Sequence, residues 1–249
     1  MDRKYWERIA PVYDDEIFDL LKNDSKSLVR KAIRKLSSPS HVVNDIGCGI
    51  GKWLPLLSPA FKKVNAIDIS AENLRIAAAT YPQFKNVKYI RANMSSPAVT
   101  SLPKSDLVIC INAILTGSLP QRSRFFKTMA AAVKNGGSLV LTVPSLESSM
   151  LTSIIGHQWK IERDLLSPAV NKNKALHKWN NLQQGNADID NVPTKHYLKE
   201  ELQLLLSRLG FTGIEFKKIE YDWDTEFLVP PSWLKDPRPW DWLVVCRKN

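Results

Sequence analysis

Three cysteines in 249 residues are too few, and odd in number, to build a disulfide framework. Cys110 and Cys246 fall in apolar, strand-like runs and Cys48 in a glycine loop, which reads as reduced thiols in a cytoplasmic protein. No stretch approaches the roughly 18 apolar residues of a membrane-spanning helix, so no membrane span is expected. The opening residues, Met-Asp-Arg-Lys-Tyr-Trp-Glu-Arg, are charged throughout and lack the apolar centre of a secretory signal. Internal repeats, low-complexity tracts and Cys/His clusters with zinc-ligand spacing are also missing, and no metal is expected. Histidine is scarce: His41, His157, His177 and His196 are the four candidates for a base working near neutral pH.

What the chain has is an apolar fraction of 44%, ample for a core, and a length suited to one α/β domain with insertions. Its net charge of +10 raises a nucleic-acid partner. The excess is concentrated: residues 51–150 hold 12 Lys/Arg against 4 Asp/Glu, while residues 201–249 hold 7 against 8. No run of five or six basic residues occurs. RNA recognition usually combines a basic stripe with stacking aromatics, so an ordinary solvated surface is preferred and nucleic acid is the less favoured partner.

The densest signal is Val42-Val43-Asn44-Asp45-Ile46-Gly47-Cys48-Gly49-Ile50-Gly51, an apolar run that breaks into three alternate glycines before a helical stretch at 52–57. Strand, tight loop and helix open a nucleotide-binding α/β sheet. A dinucleotide fingerprint needs its third glycine at position 52, where Lys52 stands. Asp45 would repel a pyrophosphate but suits a ligand carrying an ammonium group. A second apolar run, Val64–Ser70, carries Asp68, placed as the acid that hydrogen-bonds ribose hydroxyls at the end of a second strand. Ammonium and ribose together describe S-adenosylmethionine.

Here the chain resembles the class I, small-molecule type of S-adenosylmethionine-dependent methyltransferase. Asp45–Gly51 matches the family's first motif and Ala66–Ser70 its second. Arg91-Ala-Asn93-Met94 falls at its adenine motif, Asp106–Leu115 at its fourth-strand motif, and Val133–Thr142 at the turn into the fifth strand. The resemblance implies a Rossmann-like, doubly wound seven-stranded α/β sheet with its last strand antiparallel, S-adenosylmethionine as cofactor with S-adenosylhomocysteine as product, and a small-molecule substrate. It also implies cofactor contacts: Gly47, Gly49 and Gly51 by backbone approach, Asp45 near the ammonium, and Asp68 on the ribose. Ile69 and Met94 would pack on adenine, Asn93 (where aspartate is common) would reach its amino group, and Asn112 would border the methionine and its methyl.

The organisation expected is a single domain over residues 1–249. It divides into a helical lead-in (1–36), a cofactor core (37–145), a long insertion (145–195), and a C-terminal helix and strand pair (196–249) interrupted at 222–241. Both insertions are read as a substrate cap. The segment Tyr5–Asp14 resembles the family's cofactor-capping lead-in, in which the Tyr13 position often faces the reactive methyl. Tyr13 and His157 are the catalytic candidates, His157 because Trp159 follows it closely. Trp6, Trp159, Trp223 and Trp233 are candidate substrate walls, the last two equally readable as a small core. The fourth motif, Cys110-Ile-Asn112-Ala113, lacks the signature of exocyclic-amine methylation on DNA. The remaining alternatives are methylation of RNA or protein, and a non-catalytic cofactor-binding scaffold.

Overall fold

The computed structural model describes residues 3–13, 19–99, 102–159, 161, 172–189 and 192–249. The lead-in forms α1 (Arg3–Ile9), α2 (Leu20–Asn23) and α3 (Leu28–Leu36), with one 3-10 turn at Ala10–Val12 where Pro11 sits. Proline is tolerated there because a first helical turn does not use its amide hydrogens. Asp14 and Ile17, read with the lead-in, lie outside the described residues.

From Ser38 the chain alternates strand and helix. β1 (Ser38–Ile46), α4 (Leu54–Leu57), β2 (Phe61–Asp68), α5 (Ala71–Thr80), β3 (Val87–Arg91), β4 (Ser105–Ile111), α6 (Leu119–Ala132) and β5 (Val133–Pro144) follow in order. The long insertion supplies α7 (Leu146–Trp159), α8 (Lys172–Gln183) and a small hairpin of β6 (Asn186–Ile189) and β7 (Val192–Lys195). α9 (Lys199–Arg208), β8 (Phe211–Glu220) and β9 (Trp240–Lys248) complete the chain.

The seven-stranded sheet has the order β3-β2-β1-β4-β5-β9-β8. β9 runs antiparallel to both β5 and β8, so the last strand is the reversed one. Side chains alternate across it. On β4, Leu107 and Ile109 face a core shared with Val29, Ile33, Leu54, Leu57, Leu74 and Ala77 from α3, α4 and α5. Val108 and Cys110 face the opposite core with Phe126, Leu202 and Leu206 from α6 and α9. Period-two alternation with both faces buried is what covers a parallel sheet on two sides, and each such aliphatic side chain contributes about 1.5–3 kcal/mol of burial. The order reverses between β1 and β4, and that switch point opens a crevice at the carboxyl ends of the strands. Among the described residues no helix is long and apolar enough to cross a membrane.

One boundary departs from what local sequence suggests: Asn135-Gly136-Gly137 reads as the stop of a helix but lies inside β5; the helix ends at Ala132, and Gly136 adopts φ 76° within the strand. The second insertion is anchored by a separate core in which Trp223, Phe227 and Leu234 meet Ile155 and Ile161. Truncating a buried aromatic of this kind typically costs about 3–5 kcal/mol, enough to hold residues 222–241 against α7.

Candidate functional site

Asp45 closes β1 fully buried, and its Oδ2 has no hydrogen-bond partner among the described residues. Burial, and then the neighbouring Asp68 charge, push its pKa up to about 8. After β1 the loop turns back on β2, with the Gly47 and Cys48 amides both donating to the Ile67 carbonyl at 2.8 and 3.1 Å. Gly47 has φ 74°, and a Cβ there would collide with the Ala113 methyl. At Gly49, φ 53°, a Cβ would stand 2.6 Å from the Tyr13 hydroxyl. A left-handed backbone and this closeness both call for glycine. Gly51 has a different neighbourhood, against Leu54 and Ala77, where it lets α4 and α5 pack on the strand.

Asp68 ends β2. Its Oδ2 accepts from the Gly49 amide at 2.9 Å, and its Oδ1 accepts from the Ser70 amide at 2.8 Å and from Asn73 Nδ2 at 3.4 Å. Burial raises its pKa while these donors draw it back. Ser70 then caps α5, its hydroxyl accepting from the Asn73 amide at 3.1 Å. Glu7 of the lead-in joins the same helix end, accepting from the Ala71 and Glu72 amides at 3.0 and 3.2 Å and from the Ser70 hydroxyl at 3.1 Å. A carboxylate on free amides at a helix N-terminus is favourable, so α1 is fastened over the end of β2. A second tie runs from Lys52 Nζ to Asp19 Oδ2 at 2.9 Å, with the same ammonium 5.7 Å from the centre of the Tyr13 ring.

These elements enclose a cavity of about 350 Å³ at the carboxyl ends of β1, β2 and β4. Gly47, Asp68, Ile69, Asn93, Met94 and Asn112 line it, and Arg3, Trp6 and Tyr13 close it from the lead-in. Asn93 Oδ1 accepts from the Ser95 amide at 3.0 Å, a local turn that orients the side chain. Met94 is buried and belongs to the main core. Tyr13 has its phenol pKa held well above the ordinary value by burial, and then by the charges of Asp68, Cys48, Asp45 and Asp19.

Asn112, just after β4, has φ 45°, a left-handed conformation that few residues other than glycine take up. Its amide hydrogen points to Thr142, with the carbonyl and Oγ1 both at 3.1 Å. The Thr142 hydroxyl donates to Asn112 Oδ1 at 2.8 Å, and Asn112 Nδ2 donates to Asp241 Oδ2 at 2.8 Å. A strained residue held this firmly is the kind found at functional sites.

Asn112 also lines a second cavity, of about 300 Å³, beyond β5. Pro144, Ser145, Ser148 and Ser149 form one wall and Ala187, Asp188 and Ile189 of the hairpin another. His196, Tyr221, Thr225, Glu226 and Asp241 complete it. Asp241 is buried, and its pKa rises to about 6 because burial outweighs the hydrogen bonds from Asn112 and Tyr221. Desolvation, and then the Asp241 charge, raise Glu226 as well.

Four candidates lie away from both cavities. His157 lies exposed in the last turn of α7 and lines neither cavity. Trp159 and Trp233 are more than half exposed and lie against each other, ring centres 5.8 Å apart. Trp223 is buried in the anchoring core, so its indole holds the insertion in place instead of facing a cavity. The side chain of His177 lies outside the described residues. Sequence reading missed His196, Tyr221, Glu226 and Asp241 as a group, because three separated segments bring them together. One signal was available: Asp241 is an acid set between Trp240 and Trp242 at the head of an apolar strand.

Residues 43–137 match a family described as a methyltransferase domain. No curated protein is significantly similar to the chain. Among solved structures, a SAM-dependent methyltransferase from Methanosarcina mazei is similar with a TM-score of 0.59 and 20% identity, covering 87% of this chain and 96% of that one. An S-adenosylmethionine-dependent methyltransferase from Mesorhizobium loti gives 0.61 and 20%, over 92% and 100%. The N-methyltransferase NodS from Bradyrhizobium japonicum, solved with S-adenosyl-L-homocysteine, gives 0.63 and 13%, over 99% and 97%. Such identities speak for the fold, and the domain match speaks for the reaction class. The methyltransferase-domain match over residues 43–137, the seven-stranded sheet with its reversed last strand, and the glycine loop beside Asp45 and Asp68 agree with the fold of the class I, S-adenosylmethionine-dependent methyltransferases.

Proposed function

We propose that the enzyme methylates an oxygen or nitrogen of a small molecule bound in the second cavity, with the cofactor in the first. The observation that carries this reading is the shared wall at Asn112. Both insertions contribute to the second cavity, and its volume of about 300 Å³ suits a small ligand better than a polymer chain.

S-adenosylmethionine, when bound, supplies a methyl group already activated on a sulfonium. The residues present fit that group. The unpartnered, buried Asp45 Oδ2 suits the field of an ammonium. Gly47 leaves its backbone open to close approach. The Asp68 carboxylate has about four acceptor positions and receives three donors, which leaves one for a ribose hydroxyl. Ile69 and Met94 offer apolar surface to an adenine, with Asn93 beside its amino group, and Asn112 borders the methionine. Gly49 and Gly51 act indirectly, the first by seating Tyr13 and the second by packing α4 on α5. With its raised pKa Tyr13 stays protonated near neutral pH, so it orients by donating a hydrogen bond and does not act as a base. Holding nucleophile and methyl in line can contribute about 7–11 kcal/mol to lowering the barrier.

Binding is expected to be linked to protons. Asp45 has a folded pKa of about 8 against an ordinary 3.8, so the ligand-free fold holds its proton across that window and loses stability as pH rises through it. An incoming ammonium favours the ionised form. S-adenosylhomocysteine should therefore release up to one proton at pH 7, and its affinity should rise with pH until about 8 and then level off. Titration calorimetry in buffers of contrasting ionisation enthalpy counts the proton, and Asp45→Asn should abolish the release. A count of zero in the wild type would remove Asp45 from the site.

The substrate class is tested by incubating the enzyme with methyl-labelled cofactor and a fractionated cell extract. Label in low-mass compounds is the expected result. The basic surplus over residues 51–150 is the one feature favouring RNA, and label confined to RNA or protein would overturn the small-molecule reading.

A further inference from the structure

We infer that the second cavity receives the cationic end of the acceptor substrate, an organic amine in its ammonium form. This rests on the methyltransferase reading of the first cavity and names the substrate class for the second.

Each ionisable group lining this cavity in a position to accept belongs to one electrostatic type. Asp188, Glu226 and Asp241 bring three carboxyl groups, and among the described residues no lysine or arginine lines the cavity. Asp241 is only 5% exposed, and its orientation is set by Asn112 Nδ2 on one oxygen and by the Tyr221 hydroxyl. A carboxylate has about four acceptor positions, so these two donors leave capacity directed at a ligand.

His196 is an independent witness. It is 7% exposed, and its Nδ1 lies 3.0 Å from the Thr194 carbonyl. A carbonyl can only accept, so Nδ1 carries the hydrogen and Nε2 is left as a bare lone pair. No described residue hydrogen-bonds Nε2. Burial lowers the imidazole pKa, which keeps the ring neutral and accepting near pH 7. With His196 on the cavity wall, that lone pair is open to a donor from a ligand. Three carboxyl groups and this nitrogen all ask for the same complement: a positive charge rich in N–H donors.

The spacing argues for an organic cation. Among the described residues, no three His, Cys, Asp or Glu side chains converge to hold a metal ion. Acceptors spread around about 300 Å³ suit an ammonium group carried on a small carbon frame. The cavity also runs against the rest of the molecule: the chain is +10 overall, yet this recess is acidic. Its preference is therefore set locally and not by the general field.

The test uses saturation-transfer NMR on the full chain, with and without S-adenosylhomocysteine, and butylammonium and imidazolium as probes against the neutral 1-pentanol. The cations should bind at least tenfold more tightly than pentanol and remain bound when S-adenosylhomocysteine fills the first cavity. Asp241→Asn and, at the open side where folding is not at risk, Glu226→Gln should each weaken the cations several-fold without weakening pentanol. Equal binding of pentanol and butylammonium, or cation binding that neither substitution alters, would overturn the inference. S-adenosylhomocysteine titration of the same samples reads the first cavity separately, so a failure there counts against the cofactor site alone.

Discussion

Asp68→Ala is expected to weaken S-adenosylhomocysteine binding by about 10- to 100-fold. One hydrogen bond from a ribose hydroxyl to a charged acceptor contributes about 1.5–3 kcal/mol, and every 1.4 kcal/mol is a factor of about ten. The substitution also orphans the Gly49 and Ser70 amides that Asp68 receives, which loosens the loop and the start of α5 together. Asp68→Asn separates the two losses, since it retains one acceptor oxygen while removing the charge; a deficit of about tenfold is expected for it. Calorimetric titration measures both. Alanine at position 68 binding within threefold of wild type would mean that the ribose lies elsewhere.

Gly47→Ala should lower the melting temperature by about 5–15 °C. A side chain at φ 74° carries about 1–2 kcal/mol of backbone strain, and the collision with Ala113 adds about 1–3 kcal/mol of overpacking. In a chain of this length each kcal/mol shifts the midpoint by about 2–4 °C. The two contributions can be told apart. Ala113→Gly placed on top of Gly47→Ala should relieve the collision and recover part of the loss, but not the strain. Differential scanning calorimetry of the single and double variants gives the coupling, and perfect additivity would show that the two methyl groups never meet.

The cofactor half of this enzyme was legible because its chemistry is local. The strand before the glycine loop, the loop itself and the acid ending β2 lie within about 25 residues of sequence, and backbone sterics leave few ways to arrange them. Errors arose where composition is ambiguous. Asn135-Gly136-Gly137 serves a helix end and a strand irregularity equally well, and the shift in pairing between Ser105 and Leu107 absorbs it into β5. The substrate half had no local signature. His157 and three tryptophans drew attention by residue type, whereas the second cavity is assembled from the end of β5, the start of α7, the hairpin, the segment Tyr221–Glu226 and the start of β9. Only tertiary structure brings His196 to Asp241.

With ligands in the two cavities as proposed, Asn112 would stand between them. Its amide belongs to the walls of both cavities, and its hydrogen bond to Asp241 is one of the two contacts that hold that carboxyl group toward ionisation. A ligand in the first cavity that shifts this amide changes the charge presented in the second. Linkage makes the effect mutual: whatever factor the first ligand imposes on the affinity of the second, the second imposes on the first. The strength of that coupling would then rest on one side-chain amide held between Thr142 and Asp241.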